Sequence, residues 1–332
     1  MFKNKKILIT GGTGSLGSAL TKKLLETDVD TIRIFSRDEL KQSEMQASIE
    51  DSRLRYFIGD IRDKERISRA LDGVNIVIHT AALKQVPVAE YNPFEAVKTN
   101  VYGAQNLIEA CLENEVELAL AIGTDKAVSP LNTYGATKLL MEKLFVSANH
   151  IRGNHDIKFL CVRYGNVLGS RGSIVPKFIQ QIKNGKKITV TNPNMTRFNI
   201  IMSQALDLTF RAIQTGGAGE IFIPKLKAYR VGDLKDVILD LFNAKNETEI
   251  ISLRPGEKSH ELLINKDEIR NTYETQKDYI IFDKQSHIQF LGSSDIIKRE
   301  ETSLQDQYSS DRVELLKPEE LKKILLEEKF VI

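Results

Sequence analysis

The sequence predicts an α/β fold in which a doubly wound parallel Rossmann sheet is followed by a smaller α/β substrate domain. Three observations predict it: short apolar strands alternate with helices to about residue 165, a glycine-rich turn follows the first strand, and the alternation is lost after the sixth strand. We therefore expect a Rossmann domain at 1–165, with part of 198–220 returning to it. The second domain and a C-terminal tail are expected at 166–197 and 221–332.

The composition is that of an ordinary globular protein. Its formal net charge is only +2, so no surplus of positive charge indicates nucleic acid or an anionic membrane as a partner. The apolar run at Ile7 stops at Thr10, too short for a signal peptide, and no uncharged apolar run of about twenty residues follows; we expect a cytoplasmic protein. Cys111 and Cys161 are expected to be buried free thiols, and no metal site is expected.

The first strand and the turn after it indicate a dinucleotide site. Lys6–Thr10 has the pattern of a buried strand, and a GxxGxxG run then opens a helix that continues through Leu25. The glycines allow close backbone approach, and the start of the helix offers N–H groups to a pyrophosphate. The turn residues expected to bind the cofactor are Gly11, Thr13, Gly14, Ser15, Leu16 and Gly17.

The end of the second strand, Thr31–Phe35, favours NADP over NAD. An NAD site usually has Asp or Glu there to bind the ribose 2′-hydroxyl, whereas this chain has Ser36 and Arg37, which can donate hydrogen bonds to a 2′-phosphate. Asp38 and Lys41 follow and are expected to contribute to the same site. The alternative is a solvated basic residue at the end of a strand.

The third and fourth strands, 55–59 and 75–79, are expected to end at the same edge of the sheet. His79 closes an apolar strand and is expected to be a packed histidine with one nitrogen bonded, not a catalyst. Lys84 lies on the loop beyond and is expected to contact a phosphate or hydroxyl group. The cofactor contacts expected after these two strands are Asp60, Ile61, Thr80 and Ala81.

Proton-transfer chemistry is concentrated after the fifth strand, 118–122. Asp125 and Lys126 form an adjacent acid and base, and Tyr134 and Lys138 have the i, i+4 spacing that places two side chains on one helix face. A lysine beside a phenol lowers the pKa of that phenol, which could then take a proton from a substrate alcohol. The ionisations of adjacent Asp and Lys are coupled, and the sequence leaves open which of them carries the proton.

The second half of the chain mixes loops, short strands and helices. Arg197 and Arg254 lie in separate loops, which suits the diphosphate of a second ligand, although for either alone a surface ion pair is the alternative. Helices are expected at 231–242 and near the C-terminus, at 317–329.

Motifs along about residues 5 to 265 resemble those of the inverting UDP-N-acetylglucosamine 4,6-dehydratases, which are extended short-chain dehydrogenase/reductases acting on nucleotide sugars. Two departures stand out: Gly123 where a small hydroxyl residue is expected, and Leu16 in place of an aromatic residue. The matching runs are 36–42 (SRDELKQ), 81–87 (AALKQVP), 124–127 (TDKA), 163–167 (RYGNV), 195–198 (MTRF) and 254–258 (RPGEK).

The resemblance implies an NADP-dependent lyase that begins pseudaminic acid synthesis, with tightly bound NADP recycled in each turnover. Tyr134, assisted by Lys138 and Thr124, would deprotonate the sugar O4 while C4 passes hydride to NADP. Lys126 would then be the base at C5, and Asp125 the acid that protonates the departing O6. By the same resemblance Val167 contacts the cofactor, and UDP-N-acetylglucosamine is held by Lys84, Asn166, Arg197, Arg254 and Glu257.

Three other functions remain open. A UDP-hexosamine 4-epimerase needs only Tyr134 and Lys138 and would leave the Asp125–Lys126 pair idle. The related dehydratases that also epimerise toward fucosamine precursors lack a tyrosine at the position of Tyr134, which favours the pseudaminic branch. A non-catalytic NADP-sensing regulator typically loses the tyrosine or the lysine. A homo-oligomer is expected, because relatives pair the helices that begin near Pro93 and Tyr134.

Overall fold

The computed structural model describes residues 1–254, 256–283 and 299–330. Sixteen strands are present in this part of the chain. They are β1 (Lys6–Thr10), β2 (Thr31–Ser36), β3 (Leu54–Ile58), β4 (Ile76–His79), β5 (Leu118–Ile122), β6 (Lys158–Val162), β7 (Ile188–Val190), β8 (Thr196–Phe198), β9 (Ile221–Pro224), β10 (Ala228–Arg230), β11 (Thr248–Ile250), β12 (Leu262–Ile264), β13 (Thr272–Glu274), β14 (Asp278–Ile281), β15 (Glu300–Glu301) and β16 (Tyr308–Ser309).

Helices connect most of these strands. They are α1 (Ser15–Leu25), α2 (Glu39–Ser48), α3 (Lys64–Leu71), α4 (Val86–Tyr91), α5 (Pro93–Val97), α6 (Gly103–Glu113), α7 (Thr133–Ile151), α8 (Ile174–Lys183), α9 (Met202–Thr215), α10 (Val231–Leu241) and α11 (Pro318–Glu327). Two 3₁₀ turns, Asp125–Ala127 and Ile269–Asn271, and one π-helical segment, Lys98–Tyr102, complete the elements of the described residues.

The large sheet confirms the predicted doubly wound fold. Its strand order is β15-β13-β14-β9-β6-β5-β4-β1-β2-β3, and the strands from β9 to β3 in this order pair in parallel. Neighbouring residues of one strand belong to different cores: Leu8 packs in one apolar cluster, and Ile7 and Ile9 pack in another. Because side chains alternate along a strand, this pattern means that helices cover both faces of the sheet.

The helical stretch that begins at Pro93 is interrupted before it ends at Glu113. Residues Lys98–Tyr102 form a π-helical segment between α5 and α6. Asn100 lies within it, is buried, and bonds to the backbone of Leu83 and to the Thr137 hydroxyl. The interruption therefore fastens the loop after β4 to α7, in keeping with the frequent location of such bulges at functional sites.

The predicted boundary of the second domain differs from the observed one. Strand β9 pairs in parallel with β6, and β14, β13 and β15 extend the large sheet in antiparallel fashion, so these parts of 221–332 belong to the first domain. Helix α9 packs against α1 and β6, where part of 198–220 was expected to return. A third apolar cluster joins α8, α10 and α11. Residues 284–298 and 331–332 of the predicted domain lie outside the described part.

In the described residues no helix is long and apolar enough to cross a membrane. Both cysteines are free and buried, as predicted.

Candidate active site

A cavity of about 1290 Å³ runs along the carboxyl edge of the parallel strands. Nearly all of the residues predicted to bind cofactor or substrate line it. Of the predicted site residues, three are absent from its lining: Gly17, Asp60 and Asp125. The predicted residues that line it are Gly11, Thr13, Gly14, Ser15, Leu16, Ser36, Arg37, Asp38, Lys41, Ile61, Thr80, Ala81, Lys84, Thr124, Lys126, Tyr134, Lys138, Asn166, Val167, Arg197, Arg254 and Glu257.

The glycine turn has the geometry of a dinucleotide cradle. Gly11 has a φ of +66°, and a Cβ on Gly17 would come within 2.6 Å of the Gly12 backbone. No side chain of the described residues caps α1 at Gly14. Backbone N–H groups of the first turn are therefore free to bind an anion, and the positive end of the helix dipole favours one.

At the end of β2, two of the predicted residues have other partners. Asp38 caps α2 by accepting a hydrogen bond from the Lys41 backbone and pairs with the Lys41 ammonium. The Ser36 hydroxyl lies 2.9 Å from that of Thr13, and the largely exposed Arg37 guanidinium lies 3.5 Å from Asp60. Ser36 and Arg37 thus remain the donors available to a group on the ribose.

Two local features place the acid–base residues. The Thr124 hydroxyl caps the 3₁₀ turn Asp125–Ala127, and Asn132 caps α7, which begins one residue later. A Cβ on Gly135 would lie 2.2 Å from the Lys126 carbonyl oxygen. Only glycine allows the start of α7, which carries Tyr134, to pack so closely on the turn.

Asp125, Lys126 and their neighbours form one connected group. Asp125 is buried; its Oδ1 accepts hydrogen bonds from the Thr124 hydroxyl at 2.9 Å and from Lys126 Nζ at 3.1 Å. Lys126 Nζ also donates to Asn166 Oδ1 at 3.1 Å and lies 3.6 Å from Glu261 Oε1. A proton can therefore pass directly between Asp125 and Lys126.

The charge states of this pair follow from burial and from the surrounding charges. Burial raises the pKa of Asp125, and the negative charge of Glu261 adds to this, although Lys126 opposes it. Burial alone would lower the pKa of Lys126, but Asp125 and Glu261 outweigh it and the pKa of Lys126 is raised. Of the two carboxyl groups beside Lys126, those of Asp125 and Glu261, the one of Asp125 therefore has the stronger tendency to hold a proton.

The predicted lowering of the Tyr134 pKa is wrong. Burial raises the pKa of Tyr134, and the cation that opposes this effect is Lys126. Lys138 is on the same helix, but its Nζ lies 2.9 Å from Met141 Sδ, and burial lowers its own pKa to about 8. His79 is buried with Nδ1 bonded to the Thr10 hydroxyl, as predicted for a packed histidine, and burial lowers its pKa to about 3.

The predicted substrate residues surround the other end of the cavity. Arg197 is buried and donates to the backbone carbonyls of Thr196 and Ser259, while its guanidinium lies 3.6 Å from Glu257. Within their loop, the backbone N–H of Arg254 donates a hydrogen bond to the Glu257 carboxylate. Burial lowers the pKa of Lys84, whose Nζ reaches the Arg171 carbonyl oxygen.

Three site residues were missed at the sequence level: Gly135, Lys258 and Glu261. Lys258 Nζ donates to the Val128 carbonyl oxygen, just after the acid–base turn. Glu261 is buried beside Lys126 and Arg197. No spacing rule links Lys258 and Glu261 to Asp125, because the fold brings them to it from a distant part of the chain. Gly123 also has a structural explanation: a Cβ there would lie 2.7 Å from the Val162 carbonyl oxygen.

Among the described residues, no group of three or more His, Cys, Asp or Glu side chains is arranged to hold a metal ion.

A family model described as "Polysaccharide biosynthesis protein" matches residues 7–283. The chain belongs to the polysaccharide biosynthesis protein family. A family member from Campylobacter jejuni, named UDP-N-acetylglucosamine 4,6-dehydratase (inverting), is 50% identical over 85% of this chain and 84% of its own length. This similarity confirms the resemblance seen in the motifs.

Two further comparisons cover more of the chain. A protein of Rickettsia rickettsii named UDP-glucose 4-epimerase is 39% identical over 98% of this chain and 96% of its own. The X-ray structure of Pen from Bacillus thuringiensis superposes with a TM-score of 0.93 at 37% identity and covers 100% of both chains. This structural match confirms the fold, including the C-terminal part.

Proposed function

We propose that the protein catalyses the NADP-dependent 4,6-dehydration of UDP-N-acetylglucosamine with inversion at C5. The product would be UDP-2-acetamido-2,6-dideoxy-β-L-arabino-hex-4-ulose, as in the first step toward pseudaminic acid. The observation that carries the proposal is the hydrogen-bonded Asp125–Lys126 pair, held against Tyr134 at the cavity. Elimination of water needs an acid and a base in addition to the tyrosine.

In the proposed reaction, Tyr134 accepts the proton of the sugar O4 hydroxyl, with Thr124 and Lys138 assisting. Bound NADP would supply the hydride acceptor for C4 and then, in its reduced form, the hydride donor for C6. The ketone at C4 acidifies the C5 proton, which Lys126 removes while Asp125 protonates O6, and O6 leaves as water. A proton then reaches C5 from the opposite face, so that the net change is the loss of one water molecule.

The raised pKa of Lys126 is compatible with this role through its partner. Moving one proton along the 3.1 Å hydrogen bond from Lys126 Nζ to ionised Asp125 Oδ1 leaves a neutral amine and a protonated carboxyl. That single transfer prepares both the base and the acid. The coupled pair, not either residue alone, is then the functional unit.

The choice of NADP over NAD is part of the proposal. It is supported by Ser36 and Arg37 at the end of β2, which can both donate hydrogen bonds to a 2′-phosphate and which stand where an NAD site usually has Asp or Glu. The diphosphate and sugar of the substrate would meet Lys84, Asn166, Arg197, Arg254 and Glu257.

A 4-epimerase is the second candidate, because the Rickettsia relative carries that name. An epimerase would use the tyrosine and the returning hydride but would not need the Asp125–Lys126 pair. The buried position of that pair and its bonds to Thr124 and Asn166 favour dehydration, since an idle buried charge pair would carry a desolvation cost.

Nuclear magnetic resonance of the product formed in deuterated water tests the proposal. We expect a 4-keto-6-deoxy sugar that has gained solvent deuterium at C5, with no net release of NADPH. A 4-epimer that keeps its C6 oxygen would overturn the dehydratase proposal. Failure to turn over any UDP-hexose would instead favour the NADP-sensing regulator.

The variant Lys126→Ala separates the elimination of water, which needs Lys126, from the hydride transfer, which needs Tyr134 and Lys138. We expect the variant to bind NADP and fold normally but to lose elimination by about 100-fold or more, the scale of general acid–base catalysis. Lys187→Ala, at a largely exposed lysine paired with Glu247, is the matched control and should retain activity. Loss of folding in Lys126→Ala would make that lysine structural.

We also propose that the protein is a homo-oligomer. Exposed apolar side chains occur on α4, on α5 and in the π-helical segment that follows; Tyr91 is 88% and Phe94 59% exposed. Several exposed large apolar side chains in one stretch of chain are consistent with an interface. Light scattering coupled to size-exclusion chromatography would contradict the proposal if it gave the mass of one chain, 37.5 kDa.

A further inference from the structure

Glu261 is a buried carboxylate for which the proposed reaction has no role. It is 3% exposed and lines the cavity, and its Oε1 lies 3.6 Å from Lys126 Nζ and 3.7 Å from Arg197 Nε. Its Oε2 is buried without a hydrogen-bond partner among the described residues. A buried carboxylate with one unbonded oxygen is costly, so its position calls for an explanation.

The C-terminal part of the chain fixes this carboxylate. The Glu261 backbone N–H donates to the Ser310 hydroxyl at 2.9 Å, and the Ser310 N–H donates to the Glu261 carbonyl oxygen at 2.9 Å. The Ser310 hydroxyl also lies 2.7 Å from that of Thr196, next to Arg197. Ser310 thus bonds both to the Glu261 backbone and to Thr196, the residue before Arg197, which limits the relative movement of Glu261 and Arg197.

The groups facing Glu261 are mostly cationic. The positive charges of Lys126, Arg197 and Lys258 act on it, and Lys126 also bonds to Asp125. Burial raises the pKa of Glu261, but these three cations together outweigh burial and its pKa is lowered. Two buried carboxylates therefore share the Lys126 ammonium, and the one with more cationic neighbours stays ionised.

We propose that Glu261 is a positioning residue for the dehydration: its fixed negative charge holds Lys126 and Arg197 in place and makes Asp125 the carboxyl that carries the transferable proton. This inference rests on the proposed function for its catalytic consequence. Its electrostatic part stands on the geometry of Glu261, Lys126, Asp125 and Arg197 alone. Without the Glu261 charge, Lys126 and Arg197 would favour ionised Asp125, and the proton that Lys126 passes to Asp125 in the proposed reaction would return to Lys126.

The test uses Glu261→Gln, which keeps the shape of the side chain and removes its charge. In NADP-loaded protein with ¹³C-labelled aspartate carboxyls, the Asp125 signal is assigned by its loss in Asp125→Asn and titrated in both backgrounds. We expect the midpoint of the Asp125 titration to be at least one pH unit lower in Glu261→Gln than in the wild type. At a pH above both midpoints, this shift makes the protonated fraction of Asp125 about tenfold smaller. An unchanged midpoint overturns the proposal.

Turnover provides a second readout that a merely structural role would not change. In Glu261→Gln, C4 oxidation should still occur, observed as reduction of bound NADP when substrate is added. Elimination should fall about tenfold while C4 oxidation is retained, because the single proton of the pair then resides less on Asp125 and more on Lys126. Equal losses of C4 oxidation and of elimination would contradict the positioning role.

Two further variants keep the test decisive if Glu261→Gln is unstable. Glu261→Asp retains the charge and should retain the raised Asp125 midpoint. Glu268→Gln, at a carboxylate that bonds to Arg163 and not to Lys126, Arg197 or Lys258, should lose stability without moving that midpoint. The titration does not depend on turnover and tests the electrostatic role of Glu261 by itself. If the wild-type protein were found to make a 4-epimer, that result would contradict the proposed function but not the titration.

Discussion

Replacing Arg163 with methionine should destabilise the protein strongly and in a pH-dependent way. Arg163 is completely buried, and its guanidinium donates to both oxygens of Glu142, both oxygens of Glu268 and the Leu263 carbonyl oxygen. Five hydrogen bonds thus join it to three parts of the chain. The methionine variant would leave one buried carboxylate, Glu142, and one partly buried carboxylate, Glu268, without the cation that they share.

The expected cost follows from this geometry. Removing one partner of a buried ion pair typically costs about 3–5 kcal/mol, because the remaining charge is uncompensated. In the wild type, burial raises the pKa of Glu268, but the positive charge of Arg163 outweighs burial and the pKa in the folded protein is depressed. The ionised Glu268 therefore stabilises the fold at neutral pH, and this stabilisation is lost as the pH falls below the pKa that a glutamate has in the unfolded chain. In Arg163→Met the folded pKa of Glu268 should be raised instead. The loss should therefore be largest at neutral pH and shrink as the pH falls toward 5.

Urea unfolding at pH 8 and pH 5, followed by circular dichroism, measures this difference in the free energy of unfolding. Arg312→Met is the matched control, since Arg312 pairs with Asp306 on the surface, where a pair is worth about 0–1 kcal/mol. A loss below about 1 kcal/mol in Arg163→Met, or one that is the same at both pH values, would refute the reasoning.

Two other predictions concern the site itself. Gly135→Ala should reduce turnover by at least about tenfold, because its Cβ would lie 2.2 Å from the Lys126 carbonyl oxygen and must displace Tyr134 from the acid–base turn; wild-type turnover would show that α7 can shift freely. Lys138→Met should raise the free energy of unfolding at pH 7 by up to roughly 3 kcal/mol, since burial lowers the Lys138 pKa from 10.5 to about 8 and the charged form is disfavoured on folding. That gain should shrink between pH 8 and 10.5, and a gain that calorimetry finds constant over this range would contradict burial of the ammonium as its cause.

Local patterns in the sequence were sufficient for two parts of the site. The glycine turn after β1 and the Tyr134–Lys138 spacing depend only on neighbouring residues, and both elements form as predicted. The direction of the Tyr134 pKa shift was not predictable, because it depends on burial and on Lys138 Nζ contacting Met141.

Distant pairings explain what sequence reasoning missed. Glu261 joins Asp125 only because β12 pairs with β16 and Ser310 bonds to the Glu261 backbone. The strands that extend the large sheet beyond β9 are two to four residues long, too short to show a clear periodicity, so their membership in the first domain could not be foreseen.

The chain enters the large sheet on separate occasions, which affects how the cavity can open. It leaves after β6, returns through α9 and β9, leaves again, and returns at β13 and β14. Several independent connections therefore cross between the sheet and the substrate-binding segments, and a hinge opening would have to bend all of them at once. Such an architecture would slow the exchange of a large ligand held between the two parts, and the proposed reaction, which regenerates its cofactor within each turnover, does not require that exchange.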